Sequence, residues 1–156
     1  MAKIIIIDGY NFIFRAYHSM PPLTRPKDGL VIGALYGFCN MMFQMRLETN
    51  ADYFVIVLDH GSKTFRNKLY PEYKANRPPA PDDLIPQFPL VREAIKAMNI
   101  VQLEQEGFEA DDIIATLTKQ AGKENIQSVI VSSDKDLMQL IDDKVSLYDP
   151  TKKRVI

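Results

Sequence analysis

The chain has 156 residues, 46% hydrophobic and 25% charged, with a net charge of −1; it is long enough to bury one sizeable core, and no global field draws it onto nucleic acid. Cys39 is its single cysteine, which excludes an intramolecular disulfide and a thiolate metal centre. The first apolar run, Ile4–Ile7, is stopped by Asp8, too soon for a signal-peptide core or a bilayer span, so no membrane partner is expected and the cytoplasm is the expected compartment.

Ile4–Ile7 predicts a first strand, apolar on both faces as buried parallel strands are. A helix is expected over Asn11–Met20, closed by Pro21-Pro22, and a longer one over Leu30–Glu48 with Leu35, Phe38, Met42 and Met45 on one stripe. Cys39 sits inside that second helix, where a small buried thiol is expected. Tyr53–Leu58 predicts the second strand. Residues 60–81 lack a period and are rich in bases and prolines, after which Asp82 or Asp83 caps a helix to about Met98. Ile100–Leu103 predicts a short strand and Asp111–Gln120 a helix ended near Gly122. Ser128–Val131 predicts a strand, Asp134–Ile141 a helix and Val145–Tyr148 a last strand. This β-α-β alternation predicts one α/β domain over 1–156, with a largely parallel central sheet, helices on both faces and ligands at the carboxyl ends of the strands.

Seven carboxylates fall at four places where a predicted strand ends or a predicted helix begins: Asp8 in IIIIDGYN, Asp59 in VIVLDH, Glu109, Asp111 and Asp112 in FEADD, and Asp134 and Asp136 in SSDKD. Each alone has a local explanation. Asp8-Gly9 can be a turn with a glycine of free φ, and Asp134 or Asp111 can cap a helix. Capping needs one acid per helix, however, and FEADD and DKD each carry more. At roughly 4 Å and an effective dielectric near 20, each like pair costs about 4 kcal/mol, which calls for a cation among them. Hard divalent ions take oxygen ligands and use carboxylates directly or through water. His18 and His60 are too few and too scattered for a zinc centre or a nucleophilic triad. Metal held on an acidic rim points to phosphoryl chemistry, with the acids as ligands rather than general acids.

The stretch HGSKTFRNKLYPEYKANRP carries Lys63, Arg66, Lys68, Lys74 and Arg77 against Glu72 alone. The cations can contact phosphates, while Tyr70 and Tyr73 can stack on an unpaired base. A loop of this length beside an acidic rim is expected to bind nucleic acid, with Lys74 able to neutralise charge on a reacting phosphate.

The segments IIIIDGYNFIFRAYH, VIVLDHGSKTFRNKLYPEYKANRP, GFEADDIIATL and VSSDKDLMQL resemble, in order and spacing, the motifs of the 5′-nuclease domains of bacterial DNA polymerase I, from Lys3 to about Pro150. The wider superfamily holds the phage 5′-exonucleases and flap endonucleases. The resemblance implies a PIN-like, Rossmann-like α/β fold with a basic arch or clamp. It also implies cleavage of DNA at 5′ ends, nicks and 5′ flaps, in repair and replication, with Mg²⁺ or Mn²⁺ (two ions in the complete family site). By position it implies that Asp8, Asp59, Glu109, Asp111, Asp112, Asp134 and Asp136 are metal-site acids and that Lys74, with Asp112 and Asp134, is catalytic. Arg15, Arg66, Lys68, Tyr73, Lys74 and Arg77 are then the expected DNA contacts.

Members of this family continue into a helix-three-turn-helix region that grips duplex DNA and supplies two further aspartates. The expectation is therefore either a fragment of a longer polypeptide, such as a polymerase, or a short monomeric protein with the first metal site complete and the second not. Two other readings compete with a working nuclease: a catalytically weak DNA-binding module, and a PIN-type ribonuclease, since no reader of the 2′-hydroxyl is assignable.

Overall fold

The computed structural model describes residues 1–60 and 80–155. In chain order its described elements are β1 (Lys3–Asp8), α1 (Gly9–Ser19), α2 (Gly33–Glu48), β2 (Tyr53–Val57), α3 (Gln87–Ala97), β3 (Val101–Leu103), α4 (Ala110–Lys123), β4 (Gln127–Val131), a 3-10 helix (Lys135–Leu140), β5 (Val145–Asp149) and β6 (Arg154–Val155). Two compact units divide them. One holds the described residues of 1–9, 51–60 and 102–155, the other those of 10–50 and 80–101.

The first unit is built on a sheet of order β3-β2-β1-β4-β5-β6. β1 pairs in parallel with both β2 and β4, and β4 in parallel with β5, while β6 turns back antiparallel on β5. The β-branched run of β1 suits this central place: Ile5, Ile6 and Ile7 are all buried, each worth about 1.5–3 kcal/mol when removed from water. Because the chain adds β2 and β3 on one side of β1 and β4 and β5 on the other, β1 and β4 flank a topological switch point. Helix α4 buries Ala110, Ile114, Thr118 and Ala121, one stripe at helical period. Ala110 and Ile114 of that stripe pack with Ile6, Val55, Val57, Ile130 and Leu147 in one apolar cluster.

The second unit gathers three helices. Gly37 lets α2 approach α1 closely, since a Cβ there would lie 3.1 Å from that of Ala16. Gln87 is fully buried with both its polar atoms bonded: its side chain accepts from the Leu35 N–H and donates to the Asp83 carbonyl, tying α2 to the start of α3. Tyr10, Phe14 and Phe88 pack edge-on or tilted, and the Arg92 guanidinium donates to the Tyr10 hydroxyl at 3.2 Å. Phe38 and Met42 of the expected α2 stripe are buried and Leu35 and Met45 half-buried. Cys39 is half-buried rather than fully so, and burial pushes its thiol up.

Three elements differ from the sequence expectation. The stretch after Asp134 is a 3-10 helix, not an α-helix: it is only six residues long, and its tighter period places Leu137 and Leu140 together against the core. Neither Asp82 nor Asp83 caps α3. Residues 82–86 form turns, Pro86 holds the cap position, and the Asp83 carboxylate instead accepts the Tyr17 hydroxyl at 2.7 Å. Helix α4 ends at Lys123, near Gly122 as expected, and Asn125 closes it with a left-handed φ of 57°, the Ile126 N–H reaching back to the Ala121 carbonyl. The antiparallel β6 lies beyond the last expected strand. Of the expected basic arch, about 60–81, residues 61–79 lie outside the described residues. Among the described residues no helix is long and apolar enough to cross a membrane.

Candidate metal centre

Alternation along three strands builds this site. Side chains two apart on a strand share a face. Ile6 packs into the cluster beneath α4, so Asp8, two residues on, points to that same face. Val55 and Val57 do likewise on β2 and lead to Asp59, and Ile130 on β4 leads to Ser132. The register Ile7↔Val131 then sets Asp8 beside Ser132. Helix α4 lays its first turn, with Asp111 and Asp112, over the carboxyl ends of these strands.

Three of the seven expected acids come together. Carboxylate oxygens of Asp8, Asp111 and Asp134 lie within 4.8 Å of one another, Asp8 buried and the other two half-buried. Each is supported locally. The Ser132 hydroxyl donates to Asp8 Oδ2 at 2.8 Å, and the Asp136 N–H donates to Asp134 Oδ1 at 2.9 Å. Asp111 sits in the first turn of α4, where the exposed N–H groups and the helix dipole favour negative charge.

The other four acids are engaged differently. Asp59 Oδ1 accepts the N–H of Ala110 at 2.7 Å, fastening the start of α4 to the end of β2. Asp112 Oδ2 accepts the N–H of Glu109 at 3.0 Å and so caps the helix that carries it. Glu109 holds the cap position, and Asp136 is exposed on the 3-10 helix. Glu109, Asp111, Asp112, Lys135 and Asp136 together line a cleft of about 610 Å³.

Of the expected DNA contacts, Arg15 is half-buried on α1. Arg66, Lys68, Tyr73, Lys74 and Arg77 lie outside the described residues. His60 pairs through Nδ1 with Glu104 Oε2 at 3.3 Å, and the His18 ring packs against Tyr17. Asp149, at the carboxyl end of β5, is buried, but its carboxylate accepts the Thr151 N–H at 2.9 Å and holds the turn into β6. Ser132 is not among the site residues expected from sequence, which are metal-site acids and DNA-contacting cations and tyrosines. The alternation Ser128, Ile130, Ser132 was the available signal.

Residues 3–156 match the family model of the 5′-3′ exonuclease N-terminal resolvase-like domain. The chain belongs to that family. DNA polymerase I of Rhizobium leguminosarum is 51% identical over 160 residues, which cover 98% of this chain and 16% of that protein. A 5′-3′ exonuclease of Aquifex aeolicus is 40% identical over all of this chain and 56% of its own length. This exonuclease N-terminal domain thus spans about half of one curated relative and about a sixth of another. Its fold is shared with a bacteriophage T5 5′-exonuclease with zinc bound, at TM-score 0.72 and 24% identity over 99% of this chain and 57% of that one. It is shared equally with a T5 flap endonuclease in a complex with DNA and metal ions, at TM-score 0.72 and 23% identity over 98% and 57%. At these identities the likeness concerns the PIN-like α/β fold.

Proposed function

We propose that this domain is the catalytic half of a divalent-metal-dependent 5′-3′ exonuclease and 5′-flap endonuclease that hydrolyses DNA phosphodiesters, and that it works within a longer polypeptide such as a polymerase. The observation that carries the reading is the convergence of Asp8, Asp111 and Asp134 from three separate segments of the chain onto one point at the switch of the sheet. Their donor set is oxygen alone, without His or Cys, which fits Mg²⁺ or Mn²⁺. Burial of Asp8 also distinguishes the group from an ordinary surface cluster, because a buried carboxylate needs a compensating partner.

Asp8, Asp111 and Asp134 would hold the ion. When bound it supplies an activated water and neutralises charge developing on the scissile phosphate. Glu109, Asp112 and Asp136 line the adjoining cleft, where they can hold further water or a second ion at longer range. Asp59 and Asp112 keep the start of α4 seated, so that Asp111 faces Asp8. Lys74, Arg66, Lys68, Tyr73, Arg77 and Arg15 are proposed to bind the DNA strand, Lys74 by neutralising the reacting phosphate. That proposal is supported by the family match and the charge of their segment.

The test is cleavage of a labelled 5′-flap duplex with Mg²⁺ or Mn²⁺, by the wild-type chain and by Asp134→Asn. Asparagine keeps an oxygen for the Asp136 N–H, so the variant folds normally while losing one ligand charge. A fall of at least 100-fold is expected, the loss of one charged group acting in the transition state being worth about 2.7 kcal/mol or more. Wild-type cleavage rates from folded Asp134→Asn protein would refute the assignment.

A further inference from the structure

We infer that the Ser132 hydroxyl is a positioning group of this centre, an inference that rests on the metal-dependent reading above: it fixes Asp8 and Asp134 relative to one another before any cation arrives. A serine hydroxyl has one proton to give and two lone pairs to receive. The Asp134 N–H donates to Ser132 Oγ at 3.0 Å, so the hydroxyl proton is directed to Asp8 Oδ2, 2.8 Å away. Ser132 is itself immobilised, fully buried and with its own N–H bonded to the Tyr148 carbonyl at 3.1 Å. One hydroxyl therefore sets the rotation of the Asp8 carboxylate and the start of the turn that carries Asp134.

Ser128 provides an internal comparison. It lies on the same strand face and is equally buried, yet its Oγ has no hydrogen-bond partner. A buried serine on this face is thus not drawn into such bonds by position alone; the link is specific to residue 132, where the strand meets the acids. Without it, Asp8 would keep its burial and lose a donor, and mutual repulsion would drive the carboxylates apart. Groups that orient metal ligands in this way typically change affinity 10- to 100-fold when removed.

The experiment titrates the full chain with Mn²⁺ alone and follows the free ion by electron paramagnetic resonance, without DNA or turnover. Ser132→Ala is expected to weaken Mn²⁺ binding about 10- to 100-fold, with an unchanged far-ultraviolet dichroism spectrum. Ser132→Thr and Ser132→Val guard against a packing artefact, because they add the same shape and differ only in the hydroxyl. Threonine should bind at least ~10-fold more tightly than valine. Equal affinities for that pair, or wild-type affinity in Ser132→Ala, overturn the inference. Asp134→Asn separates the two levels. If it binds Mn²⁺ as the wild type does, the metal centre itself is refuted and the role of Ser132 falls with it. If it loses Mn²⁺ while the Ser132 variants keep it, the centre stands and only the role of Ser132 falls.

Discussion

Gly9 follows Asp8 directly, and replacing it by alanine should damage both the fold and the metal centre. A Cβ at this position would run into Leu58 Cδ2 and lie 2.8 Å from the Val57 carbonyl oxygen and 3.1 Å from Ile56 Cγ2. The leucine tip can turn away. The carbonyl cannot, since β2 is held in register with Asp8 opposite Val57. Relief needs a displacement of roughly half an ångström in the backbone of the central sheet, and overpacking of this kind costs about 1–3 kcal/mol. Alanine recovers up to about 1 kcal/mol of helix propensity over glycine, less at the first residue of a helix. The net expectation is a loss of about 1–2 kcal/mol, or a melting temperature lower by roughly 2–8 °C for a chain of this size. Urea unfolding measures it, with Gly122→Ala as the counter-case. Gly122 is helical, and nothing lies within 4 Å of the Cβ it would acquire, so the same substitution there should stabilise by about 0.4–1 kcal/mol. If Gly9→Ala were as stable as Gly122→Ala, close approach of β2 would not be the reason for glycine beside Asp8.

Asp59→Ala should lose about 1–2 kcal/mol in urea melts, because the Ala110 N–H at the buried helix start is left without its acceptor. Asp59→Asn keeps an oxygen in that place and should retain most of the stability, so equal losses in the two variants would discount the hydrogen bond. At the surface, the Asp28 carboxyl is lowered to about 2 by the Arg25 guanidinium, helped by the Leu30 N–H. A depressed carboxylate stabilises above its unfolded value near 3.9. That contribution is lost as pH falls through about 2. Nuclear magnetic resonance titration of Asp28 should show this low midpoint, and Arg25→Gln should return it toward the ordinary range.

Which parts of this molecule are legible in its sequence follows from the range of the interactions involved. β1, β2, β4 and β5 are apolar runs bounded by polar turns, and each appears within a residue or so of its expected place. Local chemistry misled where a partner elsewhere in the chain or another backbone conformation competes with the local answer. Asp83 has the composition of a helix cap but is drawn to Tyr17, 66 residues away in the chain. The helix end expected near Gly122 falls at Lys123, although Asn125 rather than the glycine adopts the left-handed φ. Gly9 suggests a turn needing free φ, and positive φ is found at Gly29 and Gly107 rather than there. The acids were visible as a set. Their division into three that converge and four that hold backbone or line the cleft depends on strand register and on the seating of α4, which no local pattern encodes. For Ser132 the alternation Ser128, Ile130, Ser132 shows the strand face, but not the partner, since Asp8 is 124 residues away.

That division also answers the electrostatic question the sequence raises. Carboxylates 4.8 Å apart repel by about 3 kcal/mol per pair at an effective dielectric near 20. Three such pairs rival the whole stability of a domain, about 5–15 kcal/mol. Each of the three acids has its own local compensation: the Ser132 hydroxyl for Asp8, the Asp136 N–H for Asp134 and the α4 N-terminus for Asp111. Hydrogen bonds to dipoles make the charges tolerable without neutralising them, and in the proposed function the repulsion that remains is what a cation brought from outside would relieve. Two opposite shifts follow for Asp134→Asn. Without metal, removing one charge should raise the melting temperature above that of the wild type. With saturating Mg²⁺ or Mn²⁺, the wild type should gain the larger increment, about 2.7 kcal/mol at a hundredfold excess over its dissociation constant. Differential scanning calorimetry with and without chelator measures both. A metal-free Asp134→Asn protein less stable than the wild type would mean that the three carboxylates do not strain one another, and that the site holds its geometry for a reason other than cation binding.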